Sequence, residues 1–396
     1  MKVGVIGGGP AGIFAALEAA KRHDAVTLID FNSAPGRKLA ASGAGRGNLT
    51  NLNIDSKLYS SIEDFAYSDI IRHYNFTFLA SYFKQLGIFI YHTDDGWCYP
   101  ISNSAKNIAM FLNEVLRMHR VEIRASTYVK DIQYSKGRYV LSIENGESLS
   151  FDRLIIAAGG QAHPQLNSSD NLLNVLGKMG HKIITAKPGL APIKTTKDFS
   201  KLLNGVRLDT QLTLRRNHNE VASSTGNIIF TEWGVNGPAA MNLSHYVNEG
   251  ESGLTLEFNF NNTQTQEVLS TLTQNDEEKI PLSVALLPVF PIKLIDQFTE
   301  NSKRKNLNLS SPPEAAKSKI ANNFNFTEKI LGTRGFQYAQ ISTGAVSSAS
   351  INPANLESLI LPGLFFAGEI LDVIGPCGGF NLHWAFVSGI VAGKSV

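Results

Sequence analysis

Cysteine is nearly absent: among 396 residues only Cys98 and Cys377 carry a thiol, and they stand far apart. A disulfide framework is thereby excluded, and without metal-ligand spacing so is a structural zinc. Such sparing use fits a reducing compartment, and the cytoplasm is the expected location. Charge of one sign is lacking too. The 36 Lys and Arg nearly cancel 34 Asp and Glu, leaving a formal net charge of +2, so the chain has no overall basic field of the kind nucleic-acid binders use. The expected partner is a small molecule, with no nucleic acid, and nothing in the sequence fixes an oligomeric state. Long apolar runs are missing as well. Lys2 to Ala20 would pass for a signal peptide were it not broken by Gly7, Gly8, Gly9 and Pro10. The most apolar later stretch, Pro281 to Leu294, carries Pro281, Pro288 and Pro291 and falls short of the roughly 18 residues of a spanning helix. No membrane association is expected. No Ser-His-Asp or H-E-x-x-H arrangement is evident, so hydrolytic and zinc chemistry have no support.

What is present is an ordinary globular composition, 43% hydrophobic and 18% charged, long enough for two to three domains at roughly 150 residues each. The chain opens with a β-branched run, Lys2 to Ile6, followed by GGGPAG at Gly7 to Gly12 and by Ile13, Phe14, Leu17 and Ala20 at helical spacing. This reads as strand, tight turn, helix. Gly7, Gly9 and Gly12, with Pro10 and Ala11 between them, stand in the G-x-G-x-x-G pattern. Its first glycine permits the turn, its second lets a pyrophosphate approach the backbone, and its third lets helix and strand pack closely. The phosphates would sit at the helix N-terminus, whose N–H groups and dipole favour anions. A second apolar run, Val26 to Ile29, ends in Asp30, near the spacing expected for a carboxylate that accepts ribose hydroxyls and disfavours a 2′-phosphate.

NAD and FAD share this unit, so the choice rests on the rest of the chain. GRKLAASGAGRGNLTN, Gly36 to Asn51, reads as a loop folding over phosphates and polar cofactor edges. Near the C-terminus a strand, Leu364 to Ala367, runs into Gly368, Glu369 and Asp372, then GPCGGFN at Gly375 to Asn381, then a helix from Leu382 to Ala392. A nicotinamide does not need such a second strand, turn and helix. A flavin does, because its reduced ring carries negative charge that a helix N-terminus stabilises. Between the ends, Arg124 to Ile132 reads as a strand whose Val129 backbone touches an adenine. Phe151 to Gly160 is another strand, whose Ala158, Gly159 and Gly160 let the chain pass close to the cofactor. Asp64 to Gly87 and Ser104 to Arg120 have helical spacing.

These motifs together resemble the HI0933-like (YhiN/BaiN-type) flavoprotein family, within the glutathione-reductase class. The likeness rests on GGGPAG, the Gly36 to Asn51 stretch, AAGG at Ala157 to Gly160, FTEWGVNGP at Phe230 to Pro238, STGAV at Ser342 to Val346 and FAGEILDVIGPCGGFNLHWAF at Phe366 to Phe386. The resemblance implies that Arg37, Lys38, Ser42, Gly43, Arg46 and Asn48 lie along FAD. It implies that Glu369, Asp372, Gly379, Phe380, Asn381 and Leu382 cradle the ribityl chain and ring. The implied fold class is α/β: a Rossmann-type, glutathione-reductase-like FAD-binding domain (1–188 and 345–396), an inserted β-rich domain (189–260 and 330–344) and a nested small helical domain (261–329). Where the family usually has Cys, His and Gln, this chain has Gly47, Glu232 and His383, and HPQLNSSDN (His163 to Asn171) replaces a glycine-rich stretch.

The expected function is FAD-dependent hydride transfer between a small organic substrate (or NAD(P)H) and flavin N5. No second G-x-G-x-x-G follows a strand, so no dedicated NAD(P)H domain is expected: NAD(P)H acts as a transient reductant, or the substrate reduces the flavin and oxygen reoxidises it. Two alternatives stand beside it, an FAD- and folate-dependent tRNA-modifying flavoprotein and FAD as a structural or sensing ligand. No catalytic residue is assigned. His383 reads as a proton carrier or, as a lone helix histidine more often is, a packing residue. Cys377 has no C-x-x-C partner and reads as inert. Glu232, Trp233, Tyr338 and Gln340 read either as substrate contacts or as interface core.

Overall fold

The computed structural model describes residues 1–64, 66–166, 171–196, 198–260, 267, 284, 286–300 and 325–396. Two compact units emerge, residues 1–189 with 336–396, and residues 190–335.

The first unit is built on five parallel strands, β1 (Lys2–Ile6), β2 (Ala25–Ile29), β3 (Glu122–Arg124), β4 (Arg153–Ile156) and β5 (Leu364–Phe366), in the spatial order β5-β4-β1-β2-β3. The central strands β1, β2 and β4 are mostly apolar runs of four or five residues because the sheet is covered on both faces, whereas the edge strand β3 is Glu-Ile-Arg. Helix α1 (Pro10–Ala20) starts at a proline whose missing N–H costs nothing in the first turn. From β1 the chain winds outward through β2 to β3, then returns to the other side of β1 as β4. That reversal makes the carboxyl ends of β1 and β4 the topological switch point, where open α/β sheets leave a crevice for a ligand.

Helix α1 packs on the last helix, α4 (Phe380–Ser395), at small residues. A Cβ at Gly389 would overlap Ala11 O, and one at Gly393 would overlap Ala15 O. Helix α2 (Arg37–Ala41) lies next, with a longer helix, α3 (Ala105–Met118), beyond it.

The second unit is a closed six-stranded barrel in the order Ile193–Thr195, Gly234–Asn236, Asn219–Thr231, Arg207–Arg216, Leu254–Asn259, Asn325–Thr333. Alternate residues point inward, and Phe258 stacks on Phe230 and on Phe326 at 5.3 and 4.6 Å, with Phe230 and Phe326 themselves 6.1 Å apart. One buried acid stands among them. Glu328 Oε1 accepts from the backbone N–H groups of Phe199 and Ser200 at 2.7 and 2.9 Å.

The structure differs from the sequence reading at several joints. Asn325–Lys329, expected in a helical domain, is strand, because its alternating burial seats it antiparallel to Leu254–Asn259. Most of the proposed helical stretch 261–329 lies outside the described residues; within it Ile292–Glu300 is a helix. Residues 336–344, expected with the β-rich insert, belong to the first unit, since Ile341–Val346 pairs with Ile183–Gly189. The strand read over Arg124 to Ile132 breaks at Ser126, which turns through φ 51° while the backbone N–H groups of Ser126 and Thr127 bind Asn32 O and Asp30 O. The strand read over Phe151 to Gly160 breaks at Asp152, whose N–H donates to Lys2 O. The Gly36 to Asn51 loop contains helix α2.

Replacing Gly389 by Val should force α1 and α4 apart and cost about 1–3 kcal/mol of stability by overpacking, read as a lower urea midpoint with an unchanged m-value.

Candidate cofactor site

The glycine turn is fixed by close approach. Gly7 takes φ 104°, a conformation that favours glycine, and its N–H donates to Ile29 O at 2.8 Å. A side chain at Gly7 would run into the backbone of Ala157 and Ala158, and one at Gly12 into Gly7 O. Beyond Gly9, by contrast, a Cβ would meet nothing within 4 Å. The turn is thus closed toward the protein and open toward the crevice, with the first residues of α1, Pro10 and Ala11, behind it.

Asp30 ends β2 and is buried. Its Oδ2 accepts from Gly8 N–H and its Oδ1 from Asn32 N–H at 2.6 Å. Burial raises its pKa, and these amides pull it back down. Val129 is buried at the start of the strand Val129–Ser135, and its carbonyl accepts from Asn171 Nδ2 at 3.2 Å.

On the far side of the crevice, Glu369 is held from two directions. One oxygen accepts from Ser342 N–H and Oγ–H at 2.8 and 2.9 Å, the other from Lys38 Nζ at 3.3 Å. A side chain at Gly160 would strike both Ser342 and Glu369, whereas the space before Gly159 is bounded only by Glu369 Oε2 at 4.0 Å. Gly368 presses on Ala11 and donates its N–H to Ser388 Oγ at 2.8 Å. Asp372 is buried as well, taking Gly344 N–H and Ile62 N–H at 2.7 Å each. Desolvation pushes its pKa up.

The turn before α4 is a second cradle. Gly379 caps the helix at φ 99°, where a Cβ would overlap Thr50 O and lie 2.8 Å from Asn48 Oδ1. That Asn48 oxygen is buried and has no hydrogen-bond donor among the described residues. Asn381 ties the turn together by exchanging hydrogen bonds with Gly375 at 2.9 and 2.8 Å. Phe380 O accepts from Tyr59 at 2.9 Å, and Leu382 is half-buried in the first turn of α4.

Other expected residues have protein partners. Arg37 bonds Asn32 Oδ1 at 3.0 Å, Ser42 Oγ caps Leu39 O at 2.7 Å, and Gly43 abuts the Asn48 amide. The Arg46 guanidinium lies 4.0 Å over the Tyr99 ring and donates to Tyr91 at 3.0 Å. His383 is completely buried between Thr50 Oγ1 and Tyr74 O, both at 2.8 Å. Facing a carbonyl, Nε2 must donate, and burial holds the ring's pKa down to about 4. It is a neutral packing histidine, not a proton carrier at neutral pH. Burial likewise pushes the thiols of Cys98 and Cys377 up to about 11 and about 12, so neither is a ready nucleophile. Trp233 lies 4.4 Å under the Arg334 guanidinium in the second unit, beside an exposed Glu232; Tyr338 and Gln340 are exposed in the first.

Sequence reasoning missed Thr50, Tyr59 and Ser342 as individual residues. Ser342 lay in the STGAV motif and Thr50 in the Gly36 to Asn51 stretch; Tyr59 carried no periodic or motif signal of its own.

The model of the HI0933-like protein Rossmann domain matches residues 1–395. The chain belongs to the HI0933-like family. It is 30% identical to a 3-dehydro-bile acid delta(4,6)-reductase of Clostridium scindens, over 100% of this chain and 98% of that one. A ribosomal RNA dihydrouridine synthase of Haemophilus influenzae is 27% identical over 99% of this chain and 97% of its own. The fold is like that of a 3-ketosteroid-delta4-(5alpha)-dehydrogenase from Rhodococcus jostii, with TM-score 0.52 at 13% identity over 100% of this chain and 96% of the other. This HI0933-like protein is an FAD-dependent oxidoreductase with a Rossmann-type cofactor domain and further β-rich regions. Its crevice fits FAD: the floor at Gly9 is open, the buried Asn48 oxygen lacks a donor among the described residues, and a 16-residue helix points its N-terminus at the second cradle. Among the described residues, no helix is long and apolar enough to cross a membrane.

Below its ordinary 6.5, an unfolded His383 takes a proton that the folded one refuses until about pH 4. The unfolded state therefore binds more protons in that window, and stability falls as pH drops. Going from pH 7 to pH 5, the His383→Gln variant should lose about 2 kcal/mol less than the parent, measured by urea unfolding at both pH values.

Proposed function

We propose that this oxidoreductase saturates a carbon–carbon double bond conjugated to a carbonyl in a small organic substrate, with NAD(P)H as the transient reductant. The carrying observation is the crevice at the β1/β4 switch point, open at Gly9 and Gly159 and walled by the Glu369, Lys38 and Ser342 cluster. The relatives' names support this reaction class. A 3-dehydro steroid with 4,6 unsaturation is a conjugated dienone, and dihydrouridine is uridine saturated beside its C4 carbonyl; in both cases an activated double bond is reduced.

When bound, FAD supplies hydride chemistry at flavin N5. The chain's own residues position it. Gly7, Gly9, Pro10, Ala11 and Gly12 present backbone and helix N-terminus to the pyrophosphate. Asp30 takes the ribose hydroxyls and the Val129 backbone borders the adenine. Arg37, Lys38, Ser42, Gly43, Arg46 and Asn48 line the cofactor's length. Ala158, Gly159, Gly368, Glu369 and Asp372 border its middle, and Gly379, Phe380, Asn381 and Leu382 bring the N-terminus of α4 to the ring, where negative charge gathers on reduction.

A second reading takes a uracil base in RNA as the substrate. Two relatives named as ribosomal RNA dihydrouridine synthases favour it, the second being an Escherichia coli protein 26% identical over 99% of this chain. The formal charge of only +2 favours the small substrate.

The purified protein should show a flavin spectrum that bleaches on anaerobic NADH or NADPH and recovers on addition of a 3-oxo-4,6-diene steroid. Recovery with an unmodified ribosomal RNA fragment alone would install the second reading. A flavin that neither nucleotide bleaches would favour a structural or sensing role, and a colourless protein that takes up no FAD would overturn the cofactor assignment.

A further inference from the structure

None of the family motifs contains Trp97, and the cofactor assignment above gives it no task. Trp97 opens the strand Trp97–Pro100, which pairs antiparallel with Thr50–Asn51 and sets Asn51 opposite Trp97. That pair is stitched to the turn before α4. Asn51 Nδ2 donates to Gly378 O at 2.8 Å, Thr50 Oγ1 meets His383 Nδ1 at 2.8 Å, and a Cβ at Gly379 would overlap Thr50 O. The indole is set against the same turn. A Cβ at Gly378 would stand 2.8 Å from Trp97 Nε1 and 3.1 Å from its Cε2, so the nitrogen edge of the ring is the one turned to the cradle.

Of the two tryptophans in the first unit, Trp384 donates its Nε1–H to Gly368 O at 3.1 Å, whereas the Nε1–H of Trp97 meets no acceptor among the described residues. Nor is it sealed, since the indole is half-buried. The next residue of the turn faces the opposite mismatch. Asn48, only 6% exposed, turns an Oδ1 that has no donor among the described residues to within 2.8 Å of the Cβ position of Gly379. Gly379 is also the N-cap of α4, whose 16 residues bring partial positive charge to the same spot. An unmatched donor, an unmatched acceptor and a helix N-terminus thus converge on two consecutive residues. Such groups cost free energy until a partner arrives. Together they describe that partner: a carbonyl oxygen beside an N–H, on a ring that takes on negative charge.

We propose that Trp97 is a cofactor-contacting residue, its Nε1–H donating to a carbonyl oxygen on the pyrimidine edge of the flavin while Asn48 Oδ1 accepts from the ring N3–H. The inference rests on the FAD reading of this crevice and deepens it. Reduction places negative charge on that end of the ring, so a donor there holds the reduced form more tightly than the oxidised one. Trp97 therefore raises the potential of the bound flavin. Uracil carries the same imide edge, and the test separates the two.

Protein stripped of flavin is titrated with FAD, and the reloaded protein is equilibrated anaerobically with a dye of known potential. Trp97→Phe keeps an aromatic ring against Gly378 and removes only the donor. It should bind oxidised FAD about 3- to 10-fold less tightly, the worth of one hydrogen bond. Reduced FAD should lose about a further tenfold, read as a midpoint potential lower by about 30 mV for the two-electron couple. The parent should bind FAD methylated at N3 about 10-fold less tightly than FAD, and the urea midpoints of flavin-free parent and variant should coincide. Unchanged affinity and potential in Trp97→Phe would overturn the proposal. So would weaker FAD binding at an unchanged potential with a lower urea midpoint, the mark of mere packing. N3-methylated FAD bound as tightly as FAD would overturn the Asn48 contact. If Trp97→Phe weakens uridine binding to the FAD-loaded protein in calorimetry and leaves FAD untouched, the edge belongs to a substrate base and the proposal fails. A parent that takes up no FAD would overturn the cofactor reading itself, and this inference with it.

Discussion

The first unit depends on one constraint, the absence of side chains where β1, β4 and α1 converge. Gly7 and Gly12 let the α1 N-terminus come down onto the strand ends, and Ala157 and Ala158 just after β4 pack against the turn where a side chain at Gly7 would stand. Because the sheet order reverses at β1, this same point is where a crevice must open. Close packing on the protein side and open space beyond Gly9 are therefore two faces of one arrangement. Helix α4 extends it, since Gly389 and Gly393 let a second helix lie against α1 and carry its own N-terminus toward the crevice.

Around that point two buried carboxylates and one half-buried one serve the backbone first. Asp30 binds the amides of Gly8 and Asn32, Asp372 those of Gly344 and Ile62, and Glu369 that of Ser342. Each takes up N–H groups that irregular loops cannot pair among themselves, which offsets the cost of burying a charge. Loops from opposite ends of the chain are thereby pinned to one another, and the crevice is preorganised before any cofactor enters. His383 belongs to the same scaffold. Its two hydrogen bonds tie α4 to Thr50 and Tyr74, and its neutrality at physiological pH keeps an uncompensated charge out of the core.

The Rossmann-type cofactor unit was legible because its signals are local. Strand, glycine spacing and helix period occur within thirty residues, and Asp30 follows at the distance the fold imposes. The barrel strand at Asn325–Thr333 was not legible as such. Its partner, Leu254–Asn259, lies some seventy positions earlier, and alternation over a short polar segment does not announce a long-range pairing. Residues 336–344 went to the wrong unit for a similar reason, since a strand belongs to whichever sheet its hydrogen bonds reach. His383 and Cys377 looked chemically eligible in one dimension; burial disqualified both.

By itself the sequence determined the backbone grammar of the site. Which turns had to be glycine, where helices began and which acid ended β2 are all set by sterics within a few residues. Only the tertiary structure decided which side chains share the crevice. Lys38, Glu369 and Ser342 come from segments up to 331 positions apart, and Arg46, equally cationic and in the same glycine-rich stretch, is drawn instead onto Tyr99. Proximity between distant segments is set by the packing of the whole unit, and whether a titratable group can change charge follows from the burial and neighbours that packing provides.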